Sequence, residues 1–434
     1  MEEILTQAKK VAEEAEVFMF SSEETPVRFE ANRLKHIQSK QSRSVALRII
    51  KDGKVGYAST TKLDENRELV NMAVETAQFG MPAKFEFPSL VSYPQIEVFD
   101  SDVESVPIEE MIRLGEELVT QVTHRTPDIV CEAEVTRGTV SVRIINSRGG
   151  QTNYRKSFFS MGIEGTLIRG TDMLFVGESQ ISCHPLLETK AVTEVVLRQL
   201  ELARESAVIP SRQLPVVFTP HGVASALISP LMAAFNGKTV LEGVSPIGNR
   251  LGEAVFDDKF SLWDDPTIAY RPGSRPSDDE GVPSQCTPLI EQGKVANFLY
   301  DLQTAALAHT QSTGNGNRGR GGLPSPSPSA FVIGSGNTTF EEMVQDIKEG
   351  LVIEQLMGAT QGNILGGDFS GNVLLGYKVK SGKIVGRVKD TMVSGNVYQV
   401  LKQVTAIGSE AKWVGGFLKT PPLYCSSVAV ASKE

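Results

Sequence analysis

The chain has 434 residues and a net charge of -9, with a pI near 5.4, so it lacks the broad basic footprint that counterion release at phosphates requires, and direct nucleic-acid binding is disfavoured. Hydrophobic residues make up 40% and charged residues 22%, which excludes wholesale disorder and allows about two or three domains. No apolar run reaches bilayer-spanning length and the start, MEEILTQAKKVAEEAEV, is charged, so the expectation is a cytoplasmic protein with no membrane contact. Cys131, Cys183, Cys286 and Cys425 are widely separated, which fits reduced thiols rather than a disulfide framework.

Apolar positions Ile4, Leu5, Ala8, Val11, Ala12 and Ala15 recur at helical spacing and predict an amphipathic helix over 1–16. From Val27 to Thr60 the pattern becomes short strands, with Asp52-Gly53 as a hairpin turn. A helix is expected at 64–79, capped by Asp64. After a Pro-containing linker at 82–107, Pro107 opens a helix carrying Met111, Leu114 and Leu118. Val142-Arg143-Ile144-Ile145 and its Gly-Gly turn then echo Leu47-Arg48-Ile49-Ile50 and Asp52-Gly53, and a helix at 188–204 closes the block. This reads as a weak duplication or as chance similarity between apolar strands.

IPSRQLP at 209–215 suggests a boundary. The expected organisation is an N-terminal α+β domain at 1–208, with subunits at 1–81 and 107–208, and a C-terminal domain at 209–434. The latter contains a strand at 216–218, a helix-like stretch at 223–235, a Gly-, Asn- and Arg-rich loop at 312–322, a helix at 340–349 with the Thr339/Glu342 capping box, a hairpin at Ser381-Gly382 and a closing helix near 395–404. The fold class is α+β, with strand-hairpin and helix units followed by a mostly antiparallel β domain with flanking helices.

Catalytic motifs are missing. No HExxH occurs, the histidines at 36, 124, 184, 221 and 309 are isolated, and there is no GxSxG. Cys183 and His184 would point to opposite faces of a strand, and neither Cys286 nor Cys425 has an activating neighbour in sequence. Three segments can carry binding chemistry. Asp278-Asp279-Glu280-Gly281 suits a hard cation, an amine or an ordinary polar turn. The 312–322 loop can present backbone N–H groups and Arg318 or Arg320 to a carboxylate or phosphate, or simply be flexible. Gly366 to Gly371, with Gly367, Asp368, Phe369 and Ser370, allows close approach of another chain or is only a turn.

Taken in order, DDEGVPSQCTPLIEQGKVANFLYDLQTA, STGNGNR, GGDFSGNVLLGYKVKSGKIVG and SGNVYQVL resemble the C-terminal domain of the TldD/PmbA family, also called TldD/TldE peptidases or modulators of DNA gyrase. RFEANRLKHIQSKQSRSVALRIIKDGKVGYAS resembles its first domain. The resemblance implies a dimer enclosing a cavity and action on unfolded or short peptides held in extended form. TldD-like subunits of the family carry a zinc-binding HExxxH helix, whereas PmbA/TldE-like subunits lack it and pair with a TldD-like partner. Here the helix after VVFTPHGVAS reads ALISPLMAAFNG, with Ser229 and Ala234 where ligands would stand. No catalytic or metal-binding residue is therefore carried over, and His221, upstream of that helix, is assigned no role. The resemblance implies a non-catalytic subunit with no cofactor of its own and zinc in a HExxxH-bearing partner, with Asp278 to Gly281, Asn315, Arg318 and Gly367 to Ser370 lining the peptide cavity. The rival expectation is a homodimeric peptide- or protein-binding module, including one that contacts gyrase through protein surfaces.

Overall fold

A computed structural model describes residues 1–319 and 322–433. Arg320 lies outside them. Strands β1 (Glu14–Glu30), β2 (Arg33–Ile37), β3 (Lys40–Lys51), β4 (Lys54–Thr60), β5 (Val130–Asn146), β6 (Gln151–Arg169) and β7 (Asp172–Ser182) form one antiparallel sheet in the order β4-β3-β1-β5-β6-β7, with β2 paired to β1.

The helix expected over 1–16 stops at Ala8, and β1 begins at Glu14. Val17 pairs with Leu47 on one side and Ile145 on the other, and Ala15 and Val17 are fully buried. Two ladders and that burial override a helical spacing that is only a weak local preference. The echo between 47–50 and 142–145 has a spatial meaning, since β3 and β5 flank the same strand. Asp52 and Gly53 both have positive φ, 50° and 69°, and join β3 to β4 as the two-residue turn their sequence suggested.

The next helix spans Asn66–Ala77 and is preceded by Glu65, with no side-chain cap from Asp64. Helices Ile108–Arg125 and Lys190–Leu202 bury Met111, Leu114 and Leu118, and Val192, Val196 and Leu200, as their spacing required.

From Arg212 onward the chain is β-rich. Strands Glu349–Met357, Arg212–Phe218, Leu423–Ser432, Thr391–Asn396 and Asp368–Lys380 pair successively, and Glu349–Met357 pairs again with Asp368–Lys380, closing the ring. Only the Arg212–Phe218 and Glu349–Met357 contact is parallel within it. A six-stranded sheet packs beside it. The stretch at 223–235 is two short helices, Pro220–Ala226 and Ile228–Phe235, separated at Leu227. The capping box of Thr339 and Glu342 forms, but its helix ends at Asp346 because a strand starts at Glu349. Likewise the closing helix shrinks to Val397–Val400 between strands.

One core cluster joins the two halves, bringing Phe29, Leu114 and Phe159 together with Val352, Tyr377 and Tyr424. Among the described residues no helix is long and apolar enough to cross a membrane.

Candidate functional site

Two of the sequence-selected segments come together in the interior. Asp278 is fully buried, and its carboxylate accepts the backbone N–H groups of Glu280, Val282 and Gly316, each at 2.9 Å. Gly281 closes the turn at φ 76°, a conformation that favours glycine. Arg318 donates from its backbone N–H and Nε to Asp279, and its guanidinium meets Glu16 of β1. Arg48 of β3 bridges Glu16 and, at 2.5 Å, Glu280. Asn315 donates to Asp264 at 2.5 Å and accepts from Thr313. This network ties the first sheet to the C-terminal half through charges hidden from water. Burial raises the pKa of Asp278, assisted by the charge of Glu280. It raises that of Glu16 too, outweighing Arg48 and Arg318. Burial also lowers the pKa of Arg318.

The third segment lies elsewhere. Gly367 has φ 91°, Asp368 accepts from Asn396 at 2.9 Å, Phe369 packs edge-on to Phe218 in the C-terminal core, and Ser370 follows on the same strand.

Different residues line a cavity of about 950 Å³. It runs along β5, β6 and β7 and past the edge of β7 to the C-terminal half, where His221, Ser225, Glu354 and Phe417 contribute. Asp278–Gly281, Asn315, Arg318 and Gly367–Ser370 are not among its lining residues.

Local sequence explains how His221 reaches this cavity. Thr219 ends the Arg212–Phe218 strand and caps the following helix, accepting from the Gly222 N–H at 3.3 Å, and Pro220 supplies the preset φ of a first helical position. Gly222 lets this turn approach the opposite strand, because a Cβ there would collide with the Ile353 carbonyl. His221 Nε2 then faces both carboxylate oxygens of Glu178 on β7, at 3.1 and 3.2 Å. Glu354 sits where the Glu349–Met357 strand shifts register, a bulge that re-aims side chains, and accepts from Thr219 Oγ1 at 3.0 Å. Burial alone would lower the His221 pKa, but the hydrogen bond to Glu178 and the charges of Glu178 and Glu354 outweigh it and leave it raised. Burial raises the Glu354 pKa against the opposing effects of Thr219 and His221.

Edge strand β7 is held by Gln199, whose carboxamide accepts from the Gly177 N–H at 2.8 Å and donates to its carbonyl at 3.1 Å. That amide occupies one backbone position of the strand edge, and Arg387 donates to the Met173 carbonyl at a second.

Residues 211–432 match the PmbA/TldA metallopeptidase C-terminal domain, and residues 15–77 match PmbA/TldA metallopeptidase domain 1. The chain belongs to the PmbA/TldD family. It is similar to an uncharacterized protein of Methanocaldococcus jannaschii, 29% identical over 409 residues and 93% of each chain. It is also similar to a metalloprotease of Methanothermobacter thermautotrophicus, 24% identical across 95% of this chain and 92% of the other. In fold it matches TldE from Thermococcus kodakarensis, with a TM-score of 0.90, 22% identity and full coverage of both chains.

The family resemblance seen in the sequence motifs therefore holds, as does the α+β class. In this PmbA/TldD chain Ser229 is half-buried and Ala234 buried, on the Ile228–Phe235 helix. A hydroxyl and a methyl group do not form the nitrogen- and sulfur-rich donor set that zinc prefers. Among the described residues no group of three or more His, Cys, Asp or Glu side chains is arranged to hold a metal ion. Motif reading missed the cluster of Glu178, His221 and Glu354, which no sequence spacing links.

Proposed function

We propose that this chain is the PmbA/TldE-like subunit of a cytoplasmic metallopeptidase assembly acting on unfolded or short peptides, with the zinc in a TldD-like partner bearing HExxxH. The observation that carries this reading is the pair Ser229 and Ala234, standing where the family resemblance calls for ligands. The chain's own task is then to wall the cavity and align the peptide. Edge strand β7 supports that role, because main-chain pairing holds an extended peptide without reading its side chains. In this reading the buried Asp278–Glu280 and Asn315–Arg318 segments brace the wall, and Gly367–Ser370 lines the space the dimer encloses.

The test is to purify the chain alone and together with a HExxxH-bearing relative, then measure zinc content and cleavage of an unfolded peptide. Zinc and cleavage are expected only when the relative is present. Stoichiometric zinc with full activity in the isolated chain would overturn the assignment. Failure to form a mixed dimer, with peptide affinity retained, would favour a homodimeric binding module.

A further inference from the structure

Residues Phe175 to Ile181 of β7 line the cavity, and most of that strand's edge is closed by other groups. β7 pairs only with β6, and in an antiparallel ladder alternate residues of an edge strand turn both backbone groups away from the partner. Gly177 is one of these, since its N–H and C=O both go to Gln199, so Met173, Phe175, Ser179 and Ile181 share its direction. Arg387 takes the Met173 carbonyl at 3.0 Å, and just past the strand the Cys183 N–H donates to the Tyr270 carbonyl at 3.4 Å. The Ser179 N–H donates to Oε1 of its neighbour Glu178 at 2.7 Å. Beyond it, the Ser179 carbonyl and both backbone groups of Ile181 have no partner among the described residues. Phe175, also open, is isolated between the closures at Met173 and Gly177.

The closure at Ser179 differs from the others in being ionisable. Gln199 and the Tyr270 carbonyl are neutral and Arg387 is always charged. Glu178, by contrast, is held by His221, whose Nε2 lies 3.1 Å from the same Oε1 that accepts from Ser179. Charged groups act on His221 from three elements: Glu178 on β7, Glu354 on the Glu349–Met357 strand and Lys412 on the Lys412–Val414 strand. Arg198 acts on Glu354 in turn, and the neighbouring helix Ile228–Phe235 brings no charge. With a proton on His221, one cation offsets two carboxylates contributed by different halves of the chain. Without it, Glu178 loses its charged partner and is left with the repulsion of Glu354. The raised pKa of His221 puts this change above the ordinary 6.5.

We propose that the proton on His221 controls access to this edge: the imidazolium holds Glu178 over the Ser179 N–H, and its deprotonation releases Glu178 and opens Ser179 to Ile181 for pairing with an extended peptide. Release adds the missing N–H to a run that already offers the Ser179 carbonyl and both groups of Ile181. Two successive outward-facing residues can then each exchange a pair of hydrogen bonds with an added strand. In the closed state the run lacks that donor, and the Glu178 carboxylate stands where it repels the backbone carbonyls of an incoming strand. The inference rests on the peptide-binding reading above and gives it a pH-dependent gate at Glu178.

Amide exchange in the full chain reads the gate with no peptide present. By NMR, the exchange rate of the Ser179 amide is divided by that of Gly177, which faces the same edge and is held by the neutral Gln199, so base catalysis cancels in the ratio. The ratio is expected to rise about tenfold or more as the His221 imidazole titrates in the same sample, the scale of one hydrogen bond to a charged group. Fluorescence anisotropy then follows a short N-acetylated Ala/Ser/Thr peptide that carries a pH-insensitive dye at its C terminus and has no ionisable group. Its affinity should rise about tenfold across the same titration. That dependence should vanish in H221L and shrink in E354Q, where the repulsion that drives release is gone. A ratio that stays flat through the imidazole titration, or that rises equally in H221L, would overturn the gate and leave the peptide-binding reading intact. A rising ratio with pH-independent peptide affinity would overturn the assignment of this edge as the controlled dock. Absence of binding to the peptide at every pH would overturn the peptide-binding reading, with the exchange ratio still deciding the gate.

Discussion

Replacing Arg48 with methionine tests whether the interior charges hold the two halves together. Arg48 is 2% exposed; its guanidinium contacts Glu16 at 3.2 Å and Glu280 at 2.5 Å, and lies over the rings of Phe85 and Phe87 at 4.8 and 4.9 Å. Removing one member of a buried pair costs about 3–5 kcal/mol, since the remaining charge is left in a poorly solvating interior. Lost cation–π contact adds about 1 kcal/mol, and the apolar methionine chain returns about 1–2 kcal/mol. The expected loss at neutral pH is therefore about 2–5 kcal/mol. It should also depend on pH in a definite direction. Burial already holds the Glu16 carboxyl above its ordinary 4.5, and losing the opposing charge of Arg48 raises it further. Such groups leave stability intact below the unfolded value and remove it as pH climbs through the folded one. The penalty is thus small in acid and full at neutrality. Urea unfolding followed by Trp263 and Trp413 fluorescence, at acidic and neutral pH, measures it. Adding E280Q to R48M should recover part of the loss, because it neutralises one of the abandoned charges. A loss below about 1 kcal/mol, or one that does not change with pH, would refute the reasoning.

E178Q should lower the His221 pKa toward its ordinary 6.5, since Glu178 supplies the leading raising effects; an NMR titration of the imidazole proton reads this directly. The stability that His221 contributes is complete below that ordinary value and fades as pH rises through its raised folded value, and E178Q should flatten that dependence. G222A should lower the melting temperature by an amount equivalent to about 1–3 kcal/mol, because the new methyl group meets the Ile353 carbonyl, and the His221 titration should shift with it. T339A should cost about 1 kcal/mol in chemical unfolding through loss of the capping box. E164Q, by contrast, should stabilise by about 0.2–1 kcal/mol, as it removes a like-charge cross-strand neighbour.

Local chemistry made much of the fold legible. Asp52-Gly53 and Ser381-Gly382 are turns whose residues all adopt positive φ, and Thr339 with Glu342 caps as their spacing requires. Where long-range pairing competes with local preference, the sequence misleads. Val11, Ala12 and Ala15 keep helical spacing, yet Ala15 is drawn into a strand between β3 and β5. The DDEG and STGNGNR segments look like solvated loops by composition. Burial of Asp278, Asn315 and Arg318 depends on partners as remote as Glu16 and Asp264, and no local pattern announces those partners.

The cavity was hidden for a related reason. Glu178, His221 and Glu354 come from an edge strand, the first turn of a helix and a strand bulge, separated by 43 residues between the first two. One local signal pointed there: VVFTPHG sets an apolar strand, a capping threonine and a first-turn proline in succession, which puts His221 at the strand's carboxyl end, where α/β proteins commonly form crevices.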